Sequence, residues 1–99
     1  KLTIINSDKN WWSQAEGLNT LLLMSDHYPN DSIAYRKHFD TLWEYTQTYL
    51  MDPKFGGWYE WGLDGRPDSK TALKGHIWKA AYHDFRALSN CIIRLKKVE

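Results

Sequence analysis

The 99-residue sequence predicts an all-α fold of three main helices, with a short aromatic hairpin or loop before the last. Three observations carry this. Apolar residues recur at steps of three and four in three separate windows. A proline-containing breaker and a glycine-rich aromatic stretch divide those windows. The first window is apolar around most of its circumference while the second has one wet face, which points to an inner and an outer layer.

The segment NWWSQAEGLNTLLLMS opens with Asn10 as a helix N-cap and continues through Trp11, Trp12, Ala15, Leu18 and Leu22, the pattern of a buried helix. DHYPND breaks it and offers Asp31 and Ser32 as caps for the next helix, expected over residues 32–50. Tyr35, Phe39, Leu42, Trp43, Thr46, Tyr49 and Leu50 form that helix's apolar stripe. From Met51 to Gly75 the helical signal lapses, and GGWYEWGLDGRPDS alternates aromatic residues ahead of the tight-turn pair Asp64-Gly65. The last helix is expected over residues 77–96, with Ala81, Phe85, Leu88, Ile92 and Leu95 on one stripe and lysines near the C-terminal end of its dipole. The first helix is apolar on more sides than two partners can cover. More protein is expected against it, and the chain by itself is expected to self-associate or to be marginally stable.

Composition removes several classes of function. Charged residues make up 25% and the net charge is +1, so neither a nucleic acid nor a membrane surface is indicated as a partner. The single cysteine, Cys91, cannot form an intrachain disulfide, and a reducing, cytoplasmic setting is the expectation. KLTIINSDKN has no apolar core of signal-peptide length. No zinc spacing, nucleophile elbow, P-loop or dinucleotide fingerprint occurs, and no metal or other cofactor is expected. His76 and His83 would lie two helical turns, about 10 Å, apart, too far to share one ion.

What remains is aromatic. Tryptophan, tyrosine and phenylalanine make up 15% of the chain, which suits either core filling or a sugar platform, where rings receive the C–H face and polar groups receive the hydroxyls. Trp12 and Glu16, four residues apart, share a helix face. A carboxylate on so apolar a helix must be wet or paired, with a backbone donor or a lysine as the plainest partner. His83, near the start of the last helix beside Trp78 and Tyr82, is the group best able to exchange a proton near neutrality.

WWSQAEGLNTLLLM, GGWYEW and KGHIWKAAYHDFRAL together resemble the C-terminal part of the N-acylglucosamine 2-epimerase family, which includes cellobiose 2-epimerases and mannose 2-epimerases. The resemblance runs from about Lys9 to Leu95. It implies that residues 1–99 are a C-terminal fragment of a single (α/α)6-barrel domain, the first and third helices in the inner ring and the second in the outer. It also implies proton transfer at C2 of an opened sugar through an enediolate, shared between two histidines. By resemblance His83 is one of that pair, Glu16 is a carboxylate that orients or charge-balances a histidine, and Trp12 and Trp78 contact the sugar. Trp11, Tyr82 and Arg86 match the pattern without an assigned role. The second histidine lies upstream, and none of His27, His38 or His76 has a matching context, so the chain alone is expected to be inactive. Ala81 stands where cellobiose epimerases favour proline, which leaves open whether the sugar is an N-acylglucosamine, a cellobiose-type disaccharide or mannose. The rival expectation, a non-catalytic helical carbohydrate-binding or interaction module, would use the same tryptophans without needing a titrating histidine.

Overall fold

Helix α1 spans Trp11–His27 and begins where the sequence predicts. Asn10 is extended, and its side-chain oxygen accepts the Ser13 N–H at 2.8 Å. The Trp11 N–H, another donor left free at a helix start, is taken by the Glu60 carbonyl at 2.9 Å. Trp11, Ala15, Leu18 and Leu22 are its buried residues, a single stripe at helical spacing, and each large side chain so buried contributes about 1.5–3 kcal/mol. The structure is a computed structural model that describes residues 1–97.

Helix α2 spans Tyr35–Tyr45 and runs into a π-helical turn, Thr46–Leu50, closed by the Met51 N–H on the Thr46 carbonyl at 2.9 Å. It starts three residues later than the sequence predicts. Asp31 accepts the Ile33 N–H in a local turn at 2.8 Å instead of capping a helix, and Ala34 takes a left-handed conformation at φ 56°. Phe39, Thr46 and Leu50 are buried, as the expected stripe requires, while Tyr49 remains exposed. Gly17 lets α1 and α2 approach closely, since a Cβ there would meet Leu42 Cδ2 at 3.0 Å.

Between Leu50 and Tyr82 the chain is an ordered loop rather than a hairpin. Among the described residues it forms isolated bridges, Met51 with Trp58, Asn10 with Trp61 and His76 with Lys79, and no strand. The alternating aromatics of this stretch do pack, with Trp58 and Tyr59 both buried. The Asp64-Gly65 turn is present, closed by the Arg66 N–H on the Gly62 carbonyl at 2.9 Å, and a 3-10 turn follows at Pro67–Lys70. Tyr45 donates to Asp64 Oδ1 at 2.6 Å and ties the loop to the end of α2. Burial and this bond push the Tyr45 phenol up, and the same bond holds the Asp64 carboxyl down.

Helix α3 spans Tyr82–Lys96, shorter at its start than expected, because residues 77–81 belong to the loop. Its buried residues are Ala87 and Cys91, with Leu88 packed against the core. The predicted stripe is therefore corrected: Phe85 and Ile92 face outward, 72% and 54% exposed, because the small residues Ala87 and Cys91 are the ones turned toward α1. Arg94 and Lys96 occupy the last turn, as the dipole favours. Glu16 pairs with His83 and Asp26 pairs with Arg94, start to start and end to end, so α1 and α3 run side by side in the same direction. Helix α1 is thus shared between α2 and α3. No helix among the described residues is long and apolar enough to cross a membrane.

Asp52 anchors the first half of the loop. Its Oδ1 accepts the N–H groups of Lys54 and Phe55 at 2.8 and 3.1 Å, its Oδ2 takes the Lys74 ammonium, and Gly56 and Gly57 make the turn beneath it at φ 76° and 74°. The Lys74 hydrogen bond first, then those backbone donors, hold the Asp52 carboxyl down at about 2. A depressed carboxylate stabilises the fold above its ordinary value and loses that contribution as the pH falls through its folded value. Urea denaturation of wild type and Asp52→Asn should accordingly show a stability gap that is full above 3.8, narrows below it and closes near 2. A gap that stays constant across that range would contradict the assigned role.

Candidate active site

Glu16 follows Ala15 on α1, just off the buried stripe, and its side chain is 29% exposed. A carboxylate in that position needs donors, and α3 supplies two. His83 Nδ1 lies 2.9 Å from Glu16 Oε1, and Arg86 Nη2 donates to the same oxygen. The three-residue spacing of His83 and Arg86 puts both on one face of α3. Arg86 Nη1 in turn donates to the Tyr82 hydroxyl at 2.7 Å.

The hydrogen bond from His83 foremost, and then that from Arg86, lowers the Glu16 pKa below its ordinary value, so the carboxylate is ionised at neutral pH. An ionised carboxylate only accepts, so Nδ1 of the imidazole carries the proton between them. Neutral His83 therefore keeps its lone pair on Nε2. Such an arrangement can serve as a general base oriented by a carboxylate, which would balance the charge of a ring that has taken a proton.

Three rings surround the imidazole. Trp12 lies 5.9 Å away and tilted, while Trp11 and Tyr82 stand nearly edge-on at 6.3 and 5.0 Å. Trp11 is buried, whereas Trp12 and Tyr82 are 45% and 60% exposed and border an open side. Of the four residues singled out from the sequence, Glu16, His83 and Trp12 converge. Trp78 is not among the rings packed on His83 and is 80% exposed on the loop ahead of α3. Arg86 had no assigned role, yet it touches Glu16 directly. Its spacing from His83 was the available signal. His76 pairs instead with Glu60 at 2.9 Å. Among the described residues no group of three or more His, Cys, Asp or Glu side chains is placed to hold a metal ion.

The profile of the family described as N-acylglucosamine 2-epimerase (GlcNAc 2-epimerase) matches residues 2–87. The chain is 28% identical over 93 residues to a cellobiose 2-epimerase of Dictyoglomus turgidum, covering 93% of this chain and 23% of that protein. It is 33% identical over 85 residues to a D-mannose isomerase of Marinomonas mediterranea, covering 86% of this chain and 21% of that protein. The solved structure of a sugar epimerase from a ruminal bacterium superposes with a TM-score of 0.76 at 26% identity, covering 93% of this chain and 23% of that one. The chain thus spans less than a quarter of the length of the curated relatives it matches. Its three helices have the arrangement of part of an (α/α)6 barrel.

The shared oxygen of Glu16 yields a test. Arg86→Gln removes one of the two groups that hold the carboxyl down, so the Glu16 pKa, followed by carboxyl carbon NMR, should move up toward its ordinary value of 4.5. Because a less depressed carboxylate stabilises less, acid unfolding should begin at higher pH in this variant. A Glu16 titration identical to wild type would show that Arg86 does not act on it.

Proposed function

Because the chain belongs to the N-acylglucosamine 2-epimerase family, we propose that the protein carrying it is a sugar 2-epimerase or isomerase in which His83 is one of two general acid/base groups. The observation that supports this most is the 2.9 Å contact between His83 Nδ1 and ionised Glu16, which frees Nε2 to act as a base amid aromatic rings. A sugar-binding platform has no use for a base oriented in this way.

In the proposed reaction the sugar is open, and the C1 carbonyl makes the C2 proton removable. His83 Nε2 takes that proton, the C2 electron pair moves into a C1–C2 double bond, and the carbonyl oxygen takes up the negative charge of the enediolate. A second acid on the opposite face then returns a proton to C2 and re-forms the C1 carbonyl, which gives the epimer; return of a proton to C1 instead, with the C2 hydroxyl proton passing to O1 as the C2 carbonyl forms, gives the ketose. Glu16 stabilises the imidazolium formed in the first step. Trp12, whose ring borders His83, and Trp78 are the proposed sugar-contacting rings. Residues 1–99 would form the C-terminal part of the barrel domain, in a cytoplasmic enzyme without a cofactor. Cellobiose-type disaccharides and mannose, named for the two relatives, and N-acylglucosamine are the substrate classes to test first.

In the full-length protein in D2O, substrate and product should gain deuterium at C2. His83→Asn keeps polarity but cannot take the proton, so it should cut interconversion by about 100-fold while sugar binding largely survives. Undiminished turnover by His83→Asn, or product free of solvent deuterium at C2, would contradict the assignment. The 99-residue chain on its own should show no turnover and should self-associate through exposed side chains such as Phe85 and Ile92. Efficient epimerisation by that chain would refute the need for a second base outside it.

A further inference from the structure

Residues 76–79 form a tight turn closed twice: the His76 N–H donates to the Lys79 carbonyl, and the Lys79 N–H to the His76 carbonyl, each at 3.0 Å. Ile77 and Trp78 are the tip residues, 89% and 80% exposed. Both stem residues are fastened by their side chains. His76 Nε2 donates to Glu60 Oε1 at 2.9 Å, and His76 Nδ1 accepts the Trp78 backbone N–H at 3.2 Å. A carboxylate only accepts and a backbone N–H only donates, so these two bonds pin the imidazole in one tautomer and one orientation. Glu60 is itself held, since its carbonyl takes the first N–H of α1.

The other stem residue, Lys79, is 4% exposed. Its ammonium donates to the Trp58 carbonyl at 2.8 Å and the Lys74 carbonyl at 2.6 Å, and it lies 5.4 Å from the centre of the Trp11 ring. Two carbonyls and a ring face are partners enough for its three N–H groups. No carboxylate among the described residues is bonded to it, and burial pulls its pKa down. A buried cation is costly, and an unbranched apolar side chain would fill the same space. What the ammonium adds is direction: it ties the turn to two loop carbonyls and to Trp11, which packs edge-on to His83.

We propose that the His76–Lys79 turn is a rigid clamp that presents the Trp78 ring to the sugar, with His76 and Lys79 as its positioning residues. This rests on the reading of Trp78 as a sugar-contacting ring. Holding the ring in place before the sugar arrives avoids the ordering cost of a loose loop, and a ring displaced by an ångström misplaces C2 relative to its base.

The test is a double-mutant cycle in the full-length protein, using whichever of cellobiose, D-mannose and N-acetylglucosamine it turns over. Trp78→Ala, His76→Ala and Lys79→Met should each raise KM and lower kcat, cutting kcat/KM by about tenfold or more, with circular dichroism unchanged. His76→Asn, whose amide oxygen can stand in for Nδ1, should stay within about threefold of wild type. In the Trp78→Ala background, His76→Ala should add nothing, because it acts through that ring, and Lys79→Met should add less than its effect in wild type, since Lys79 also meets Trp11 beside His83. Losses that add fully to that of Trp78→Ala, or wild-type kinetics in His76→Ala and Lys79→Met beside a damaged Trp78→Ala, would overturn the clamp and leave the role of Trp78 standing. A silent Trp78→Ala would overturn both.

Discussion

The ionised carboxylate of Glu16 is the constraint on which the site depends. It sits on the helix with the most buried residues, where an unpaired charge is costly, and a single oxygen receives both His83 and Arg86 from α3. That pairing fixes the register of α3 against α1 at one end, and Asp26 with Arg94 fixes it at the other. Between the two pairs, Ala87 and Cys91 are small enough to let the helices close. Register, tautomer and charge balance therefore follow from one group. Sliding α3 by one residue toward its N-terminal end would rotate His83 away from Glu16 and bring Asp84 toward it, setting two carboxylates against each other.

The loop from Met51 to Ala81 keeps its aromatic residues in the same frame. Its Glu60 carbonyl caps the start of α1, Tyr45 bonds Asp64 across from the end of α2, and the Leu63 N–H reaches the Tyr49 carbonyl. Lys74 joins Asp52 to the Gly56 carbonyl, and the buried Lys79 ammonium joins the Lys74 and Trp58 carbonyls. A loop with this many internal ties is a scaffold. It carries Trp78 on one side and leads directly into His83 on the other.

Much of this was legible in the residues, though unevenly. Asn10 and the stripe of Trp11, Ala15, Leu18 and Leu22 were readable because capping and helical period are local. The start of α2 was not, since nothing in DHYPND signals that Ala34 adopts a left-handed conformation. Periodicity found apolar residues on α3 but could not say which of them faced α1. Phe85 and Ile92 have the right spacing and still point outward. The alternation in GGWYEW reads as strand, yet its backbone bonds go to α1, to the α2 end and to side chains such as Ser69. Glu16 stood out as a carboxylate on an apolar helix and His83 as a proton-exchanging group, and the family resemblance implied their roles together. Their contact spans 67 residues and no spacing rule reaches that far. Arg86 and Lys79 escaped because a charged residue reads as solvent-facing until its partners are known.

Nitrogen-15 NMR of the neutral form of the His83 imidazole in the full-length protein tests the central claim most directly. If Glu16 orients the ring, Nδ1 should carry the proton and Nε2 should show the shift of a bare ring nitrogen, and Glu16→Gln should weaken that preference. A ring protonated at Nε2, or one whose tautomers are insensitive to Glu16→Gln, would contradict the carboxylate-oriented base.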